Sequence, residues 1–218
     1  MVDITEKLKI YSDNLREWNS FMNLTAITDE DEIFKLHFAD SLELAKLYEF
    51  SHCSVIDIGT GAGFPGLPIK IADDSIDLTL LDSLDKRLNF LKDTLDKLGI
   101  SDVKLVHSRA EEIPAGFREN FDISVSRAVA RLNTLAEFCL PYVRVGGVFI
   151  AMKGPDFDSE LEEAKPAIKI LGGKCEKCVS YTIPDTDIVH SAIIIRKISE
   201  TPSKYPRRFA QIKKSPLL

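Results

Sequence analysis

One ten-residue segment constrains the fold of this chain more than any other. It reads Asp57-Ile-Gly-Thr-Gly-Ala-Gly-Phe-Pro-Gly66 and begins within the apolar run Val55–Ile58. Glycine has no Cβ, so a glycine-rich loop can turn tightly and approach a ligand closely. A buried strand that ends in such a loop and continues as a helix is typical of parallel α/β proteins with a nucleotide-like ligand.

The segments that follow repeat the alternation of strand and helix. Further short apolar runs are Leu78–Leu81, Val103–Val106, Ile123–Ser126 and Val148–Ala151. Between the second and third strands, one helical face carries Leu84, Leu88, Leu91, Leu95 and Leu98. Gly99 predicts the end of that helix. Strands that alternate with helices predict a parallel sheet that is covered on both faces.

The C-terminal part of the sheet departs from this alternation. Two more predicted strands, about 174–182 and 188–197, are joined by the five residues 183–187. A parallel crossover needs roughly a dozen residues or more, so these strands are expected to be antiparallel. We therefore predict a Rossmann-like α/β fold with seven strands, mostly parallel, and an antiparallel last strand.

Residues 1–50 are predicted to be helical. One face of a first helix carries Ile4, Leu8, Tyr11, Leu15, Trp18 and Met22, and a second helix is expected over about 29–48. We divide the chain into an N-terminal helical cap (1–50), an α/β domain (51–198) and a basic C-terminal tail (199–218).

The charge of the chain is unevenly distributed. The net charge of −6 argues against a nucleic-acid partner when taken alone. However, residues 196–218 contain seven basic residues and one acidic residue, a net +6, whereas the rest contains 21 basic and 33 acidic residues, a net −12. A solvated tail and a tail that binds RNA phosphates both remain open.

Several classes of protein are disfavoured by the sequence. No run approaches the roughly 18 apolar residues of a membrane span. The N-terminus has no apolar block of a secretory signal, and the four cysteines are interpreted as reduced thiols. We expect a cytoplasmic monomer without a metal site.

The glycine motif by itself leaves the cofactor open. Gly61, Gly63 and Gly66 satisfy the dinucleotide spacing G-x-G-x-x-G, so NAD and S-adenosylmethionine both fit. Asp82 ends the second strand, 23 residues after Gly59, where a carboxylate accepts hydrogen bonds from ribose hydroxyls.

Three features favour S-adenosylmethionine over NAD. Asp57 suits the positively charged methionine amino group, indirectly or through water. Pro65 removes an amide donor where a pyrophosphate would be bound, and the antiparallel last strands are foreign to the dinucleotide fold. The sequence therefore predicts a class I S-adenosylmethionine-dependent methyltransferase fold.

The ends of the third and fourth strands supply further candidates. Ala110 and Glu111 are placed beside the adenine. Arg127 is placed at the mouth of the site as the catalytic candidate, where it would hold the cofactor or the substrate near the methyl group, with a structural ion pair as its alternative. The fourth strand lacks the Asn-Pro-Pro-Tyr sequence of exocyclic-amine methylases. Cys139 follows Phe138 inside a predicted helix, so the Pro-Cys nucleophile of pyrimidine C5 methylases is absent.

Two other clusters are interpreted as structural. Cys175 and Cys178 have no second pair or histidine at zinc-ligand spacing, and a strand would place them on opposite faces. His37, Asp40 and Ser41 share one helix without a nucleophile elbow, so a hydrogen-bonded helix surface is predicted for them.

Several motifs together resemble one family. They are Asn23-Leu-Thr-Ala-Ile27, His37-Phe-Ala-Asp-Ser-Leu42, the glycine segment 57–66, Leu81-Asp-Ser-Leu-Asp-Lys-Arg87, Ser126-Arg-Ala128, Lys153-Gly154 and Thr201-Pro-Ser-Lys-Tyr-Pro-Arg207. In this order they resemble the RsmG family, also called GidB. The segment Arg208-Phe-Ala-Gln211 departs from the arginine-or-lysine, alanine, glycine stretch that is common there.

The resemblance implies an enzyme that methylates N7 of a guanine in the decoding-region loop of bacterial 16S ribosomal RNA. It implies S-adenosylmethionine as the cofactor, with contacts at Gly59, Phe64, Ala110, Glu111 and Arg127. Lys204, Arg207 and Arg208 are then expected to bind RNA phosphates of the small subunit or its precursor. The alternatives are a non-catalytic RNA-binding assembly factor and an NAD-dependent oxidoreductase.

Overall fold

The computed structural model describes residues 3–127 and 129–218. A seven-stranded mixed sheet lies at the centre of this part of the chain. The strands are β1 (Ser54–Ile58), β2 (Asp77–Asp82), β3 (Lys104–His107), β4 (Phe121–Arg127), β5 (Val143–Lys153), β6 (Gly173–Thr182) and β7 (Val189–Lys197). Their order is β3-β2-β1-β4-β5-β7-β6. The first five strands are parallel, and β7 is antiparallel to both β5 and β6. The predicted fold class is confirmed.

The sheet has its topological switch point between β1 and β4. The chain moves outward from β1 to β2 and β3 and then returns to pair β4 with the other edge of β1. In register, Asp57 of β1 is aligned with Leu80 of β2 and Val125 of β4. The carboxyl ends of β1 and β4 therefore flank a crevice, which is where ligands bind in open α/β sheets.

Helices cover both faces of the sheet. They are α1 (Ile4–Asn19), α2 (Glu30–Ile33), a π-helical segment (Phe34–Ala39), α3 (Asp40–Leu47), α4 (Gly66–Ala72), α5 (Asp85–Leu98), α6 (Leu132–Cys139), a 3₁₀ turn (Leu140–Tyr142), α7 (Asp158–Ile170) and α8 (Phe209–Lys214). The predicted helix over 29–48 is thus three consecutive segments, and Asp29 caps the first by accepting from the Glu32 amide. Gly99 ends α5 with φ +67°, as its position predicts.

The N-terminal helices and the tail belong to opposite faces of the core. Leu8, Tyr11 and Leu15 of α1 are buried in the same apolar cluster as Leu67 of α4 and Leu91 of α5. On the other face, Tyr205 and Ile212 of the tail are buried with Leu135 of α6 and Ile168 of α7. Both ends of the chain therefore help to bury the sheet. No helix of the described residues is long and apolar enough to cross a membrane.

The predicted placement of the two cysteines on opposite strand faces is wrong. The β6–β7 register shifts between Cys175 and Lys177, so a bulge inserts one extra residue into β6. This returns Cys175 and Cys178 to the same face, with their Sγ atoms 3.8 Å apart. The sequence pattern of β6 carries no signal of this bulge.

Candidate cofactor and substrate site

A cavity of about 500 Å³ opens at the carboxyl ends of β1, β2 and β4. It is lined by the loop after β1, the end of β2, the segment after β3, the end of β4, part of the N-terminal region and the first residue of α8. Its lining residues include Thr25, His37, Gly59, Gly61, Phe64, Asp82, Arg87, Ala110, Glu111, Arg127, Phe138 and Phe209. Most of the predicted cofactor residues thus meet in one place.

The glycines of the loop have distinct roles. Gly59 and Gly61 line the cavity with φ of +70° and +61°. A Cβ on Gly61 would meet no described protein atom closer than the Gly59 carbonyl oxygen at 4.0 Å, so its missing side chain leaves room for a ligand. Gly63 does not line the cavity, because it packs against α1, where a Cβ would collide with the Tyr11 hydroxyl.

Asp57 lies beneath the loop and does not line the cavity. Its Oδ2 accepts from the Thr60 hydroxyl at 2.8 Å and from the Gly66 amide at 2.9 Å, which fixes the loop on the sheet. Its Oδ1 is buried and has no hydrogen-bond partner among the described residues. Burial raises the pKa of Asp57 to about 6.

Asp82 forms the floor of one end of the cavity. This carboxylate is 1% exposed and accepts from the Gly61 amide and the Leu84 amide, each at 2.9 Å. Arg87 Nη1 lies 3.2 Å from Asp82 Oδ2, and its side chain is one-third exposed. Asp82 therefore lines the crevice, as predicted, and also holds the Leu84 amide just before α5 begins.

The same end is closed by Ala110, Glu111 and the tail. Ala110 and Glu111 line the cavity, and the Tyr142 hydroxyl donates to the Ala110 carbonyl at 2.9 Å. Phe209 adds an aromatic wall that stacks on Phe138 with ring centroids 6.5 Å apart. We call this the acidic end, defined by Asp82, Ala110, Glu111 and Phe209.

The opposite end is built around Arg127. Its Nη1 donates to the Leu36 carbonyl at 3.2 Å and to Asp40 Oδ2 at 2.9 Å, and its guanidinium carbon lies 5.0 Å from the Phe64 ring centroid. Its Nη2 lies 3.1 Å from His37 Nδ1. Arg127 thus lines the cavity, as predicted, and also makes a structural ion pair, which was the alternative prediction for this residue. Ala128, next in the chain, lies outside the described residues.

The predicted helix surface around Asp40 is wrong, because Asp40 is fully buried. Its Oδ1 accepts from the Tyr181 hydroxyl at 2.8 Å and lies 2.9 Å from His190 Nδ1. Hydrogen bonds from His190 and the charge of Arg127 outweigh desolvation and hold the pKa of Asp40 below its usual value. Asp40 therefore ties Arg127 to β6 and β7.

His37 is a cavity residue that the sequence analysis missed. Its ring stacks on Phe64 with centroids 4.5 Å apart. Because the Arg127 guanidinium only donates, His37 Nδ1 accepts, and the ring proton lies on Nε2, which donates to Thr25 Oγ1 at 2.9 Å. Burial, followed by the Arg127 charge, lowers the pKa of His37 to about 4. We call Thr25, His37, Asp40 and Arg127 the arginine end.

The tail is docked, and its basic residues differ from one another. Lys197, the last residue of β7 and just before the tail, is fully buried and pairs with Glu119 at 2.7 Å. Arg207 pairs with the buried Glu137 at 2.7 Å and also donates to the Ser215 carbonyl. By contrast, Lys204, Arg208, Lys213 and Lys214 are exposed. The geometry does not favour Arg207 as an RNA contact, because its guanidinium is already committed.

Neither a metal site nor a cysteine nucleophile is found among the described residues. No group of three or more histidine, cysteine, aspartate or glutamate side chains is placed to hold a metal ion there. Cys139 is fully buried at the end of α6, and burial raises the pKa of its thiol well above its usual value. None of the described residues that line the cavity is a cysteine.

A parallel sheet with an antiparallel last pair and a glycine loop after β1 is the architecture of the Rossmann-like methyltransferase fold. Residues 4–189 match the family model described as rRNA small subunit methyltransferase G. The chain is 51% identical over 214 residues to ribosomal RNA small subunit methyltransferase G of Clostridium novyi (strain NT), across 95% of this chain and 87% of that protein. It is 50% identical over 218 residues to the protein of the same name from Clostridium perfringens (strain 13 / Type A), across 99% and 91%.

A solved structure shares the fold at low identity. M. jannaschii TYW2 in complex with AdoMet superposes with a TM-score of 0.58 and 11% identity, over 73% of this chain and 75% of that chain. This chain belongs to the rRNA small subunit methyltransferase G family and is a methyltransferase. The predicted resemblance is confirmed, and the matches give no support to an oxidoreductase or to a non-catalytic factor.

Proposed function

We propose that the protein transfers a methyl group from S-adenosylmethionine to N7 of a guanine in small-subunit ribosomal RNA. The observation that carries the proposal is one cavity with a buried carboxylate, Asp82, at one end and a fixed guanidinium, Arg127, at the other. The glycine loop lies between them.

The cavity residues fit this cofactor better than a dinucleotide. The open side of Gly61 and the carboxylate of Asp82 suit an adenosine, with Ala110, Glu111 and Phe209 around its base. The Gly66 amide at the start of α4 already donates to Asp57, so that helix end does not offer it to a pyrophosphate. Asp57, held under the loop, attracts the methionine amino group through space.

Bound S-adenosylmethionine supplies a methyl group on positively charged sulfur, which a nitrogen lone pair displaces in line. Guanine N7 has a free lone pair, so no side chain has to remove a proton from it. His37 is unsuited as a base because Arg127 donates to its Nδ1 and its Nε2 carries the proton. The chain then contributes orientation, which is worth up to roughly 7–11 kcal/mol when the geometry is right.

Methyl transfer to small subunits from cells that lack this protein tests the proposal. Naked RNA, precursor particles and mature subunits are supplied in parallel with labelled S-adenosylmethionine, and nucleosides are analysed by mass spectrometry. We expect 7-methylguanosine as the labelled product. An Asp82→Asn variant, with weakened cofactor binding, serves as the control and should form less of it. Label in a 2′-O-methyl or exocyclic-amine product, or binding of NADH but not of S-adenosylhomocysteine, would overturn the proposal.

The exposed basic residues of the tail are our proposed RNA contacts. Lys204, Arg208, Lys213 and Lys214 form no ion pair with an acid among the described residues. Arg208 directly precedes Phe209, which lines the cavity. We assign Arg207 to anchoring the tail on Glu137 instead.

The two neighbouring arginines provide a matched test of this surface. Arg208→Ala combined with Lys213→Ala should weaken RNA binding and reduce the slope of log affinity against log salt by about one for each lost phosphate contact. Arg207→Ala should instead lower the free energy of unfolding, and Lys92→Ala, on the exposed side of α5, should change neither. If the salt slope of the double variant equals that of wild type, the tail does not bind RNA phosphates and is a solvated surface.

A further inference from the structure

Thr25 is held in a fixed position at the wall of the cavity. Asn19 Oδ1 accepts from the Leu24 amide at 2.8 Å and the Thr25 amide at 3.0 Å, and Asn19 Nδ2 donates to the Thr25 carbonyl at 3.0 Å. Leu24 and Thr25 both line the cavity. Asn19 therefore fixes the backbone of the loop that follows α1.

The hydroxyl of Thr25 is left with one hydrogen-bonding function. Its Oγ1 accepts from His37 Nε2 at 2.9 Å and from the Ile27 amide at 3.1 Å. A hydroxyl oxygen has two acceptor positions and one proton, so both acceptor positions are used. Within 3–127 and 129–218, no protein acceptor takes the remaining proton. Thr25 is thus a donor at the wall of the site.

The direction of this hydrogen-bond chain is set by Arg127. A guanidinium cannot accept, so it fixes the His37 tautomer, and that tautomer in turn forces Thr25 to accept from the ring. His37 acts here as a positioning residue. The chain of contacts delivers a single uncharged donor to the arginine end of the cavity.

Guanine and adenine differ in the group beside N7. Guanine has the acceptor O6 there, whereas adenine has the donor N6 amino group. An arginine that binds guanine in the usual bidentate way occupies N7 as well as O6, which would block methylation of N7. Arg127 is in any case committed to Leu36, His37 and Asp40. A single hydroxyl donor reads O6 and leaves the N7 lone pair free.

We propose that the Thr25 hydroxyl donates to O6 of the target guanine and thereby selects guanine over adenine. This inference rests on the proposed N7 methylation. The contact is one neutral hydrogen bond, so we expect its removal to reduce the preference for guanine by about tenfold.

A double-mutant cycle between enzyme and RNA tests the inference. The enzymes are wild type, Thr25→Val and Thr25→Ser, with Thr28→Val as a control in the same loop, where Thr28 is exposed and lines no part of the cavity. The substrates carry at the target either guanine or 2-aminopurine, which keeps N7 and lacks O6. The affinity for S-adenosylhomocysteine is measured in parallel.

The preference is the ratio of kcat/KM for the guanine substrate to kcat/KM for the 2-aminopurine substrate. We expect this ratio to be about tenfold higher in wild type, Thr25→Ser and Thr28→Val than in Thr25→Val. The affinity for S-adenosylhomocysteine should be similar in all four enzymes. If Thr25→Val keeps the full preference, the inference is overturned while the N7 proposal stands. If wild type forms no 7-methylguanosine on the guanine substrate, the N7 proposal itself fails. Should the valine variant lose cofactor binding, Thr25→Ala enters the same cycle in its place.

Discussion

The two ends of the cavity are held in different ways. At the acidic end, Asp82 is bound by groups at most 21 residues away in sequence, the Gly61 and Leu84 amides and the partly exposed Arg87. At the arginine end, Arg127 contacts the segment from Leu36 to Asp40, roughly ninety residues away in the chain. Asp40 extends that network to Tyr181 and His190.

This difference indicates that the acidic end serves ligand binding, whereas the arginine end stabilises the fold. Arg87 is one-third exposed and can leave Asp82 when a ligand's hydroxyls arrive, at the small cost typical of an exposed ion pair. Asp40 is fully buried, so its partners are required by the fold itself. Substitutions at the arginine end should therefore affect stability first, and those at the acidic end should affect ligand affinity first.

The largest effect is expected for Arg127→Met. It leaves the buried Asp40 carboxylate with the Tyr181 hydroxyl and His190 as its remaining partners, and removing one partner of a buried pair costs about 3–5 kcal/mol. Urea unfolding at pH 7.5 measures this loss. The double variant Asp40→Asn with Arg127→Met should recover part of it. A loss below about 1 kcal/mol in the single variant would show that Arg127 is not an architectural residue.

The difference between the local contacts of the acidic end and the long-range contacts of the arginine end explains which features could be predicted from the sequence. The strands, the glycine loop and Asp82 follow from periodicity and local spacing, and the structure places them where these patterns predict. Asp40 could not be placed, because Arg127, Tyr181 and His190 lie 87, 141 and 150 residues away in sequence.

Two further features were hidden in the sequence for related reasons. The pairing of Arg207 with Glu137 joins residues 70 apart, and the bulge at Cys175 depends on the register of a neighbouring strand. The motifs around Thr25 and His37 contributed to the family resemblance, but no place in the site was predicted for either residue. Contacts distant in sequence therefore account for most of what sequence reasoning missed.

Asp82→Asn should show the second-largest effect, at the acidic end. The substitution removes the charge that strengthens hydrogen bonds to a ribose, worth about 1.5–3 kcal/mol. We expect the dissociation constant of S-adenosylhomocysteine, measured by calorimetry, to rise about 10- to 100-fold. The free energy of unfolding should fall by less than in Arg127→Met, because the Nδ2 of asparagine cannot accept from one of the two amides that Asp82 now holds. Asp85→Asn, at the exposed first residue of α5, is the control. Wild-type affinity in Asp82→Asn would contradict the ribose assignment.

The buried carboxyl of Asp57 predicts that ligand affinity depends on pH. Because burial raises the pKa of Asp57 to about 6, this carboxyl is charged above pH 6 and neutral below it. A ligand ammonium group is attracted to the charged form. Affinity for S-adenosylhomocysteine should therefore weaken by about tenfold from pH 7 to pH 5. Asp57→Asn should flatten this profile, since His37, with a pKa of about 4, stays neutral over that range. A slope that persists in the variant would assign the titration to another group.

The smallest expected effect concerns Phe209, which brings the tail to the acidic end. Its ring lines the cavity, stacks on Phe138 and lies 5.6 Å from the Arg109 guanidinium carbon. Phe209→Leu keeps apolar bulk but removes the aromatic face, so cofactor affinity should fall by about 0.5–1 kcal/mol, a few-fold in calorimetry. Phe209→Tyr should retain wild-type affinity, and Phe21→Leu, at a 70% exposed aromatic that does not line the cavity, should change nothing. If Phe209→Leu binds as wild type does, the tail borders the acidic end without contributing to it, and the contrast between the two ends reduces to Asp82 and Arg127.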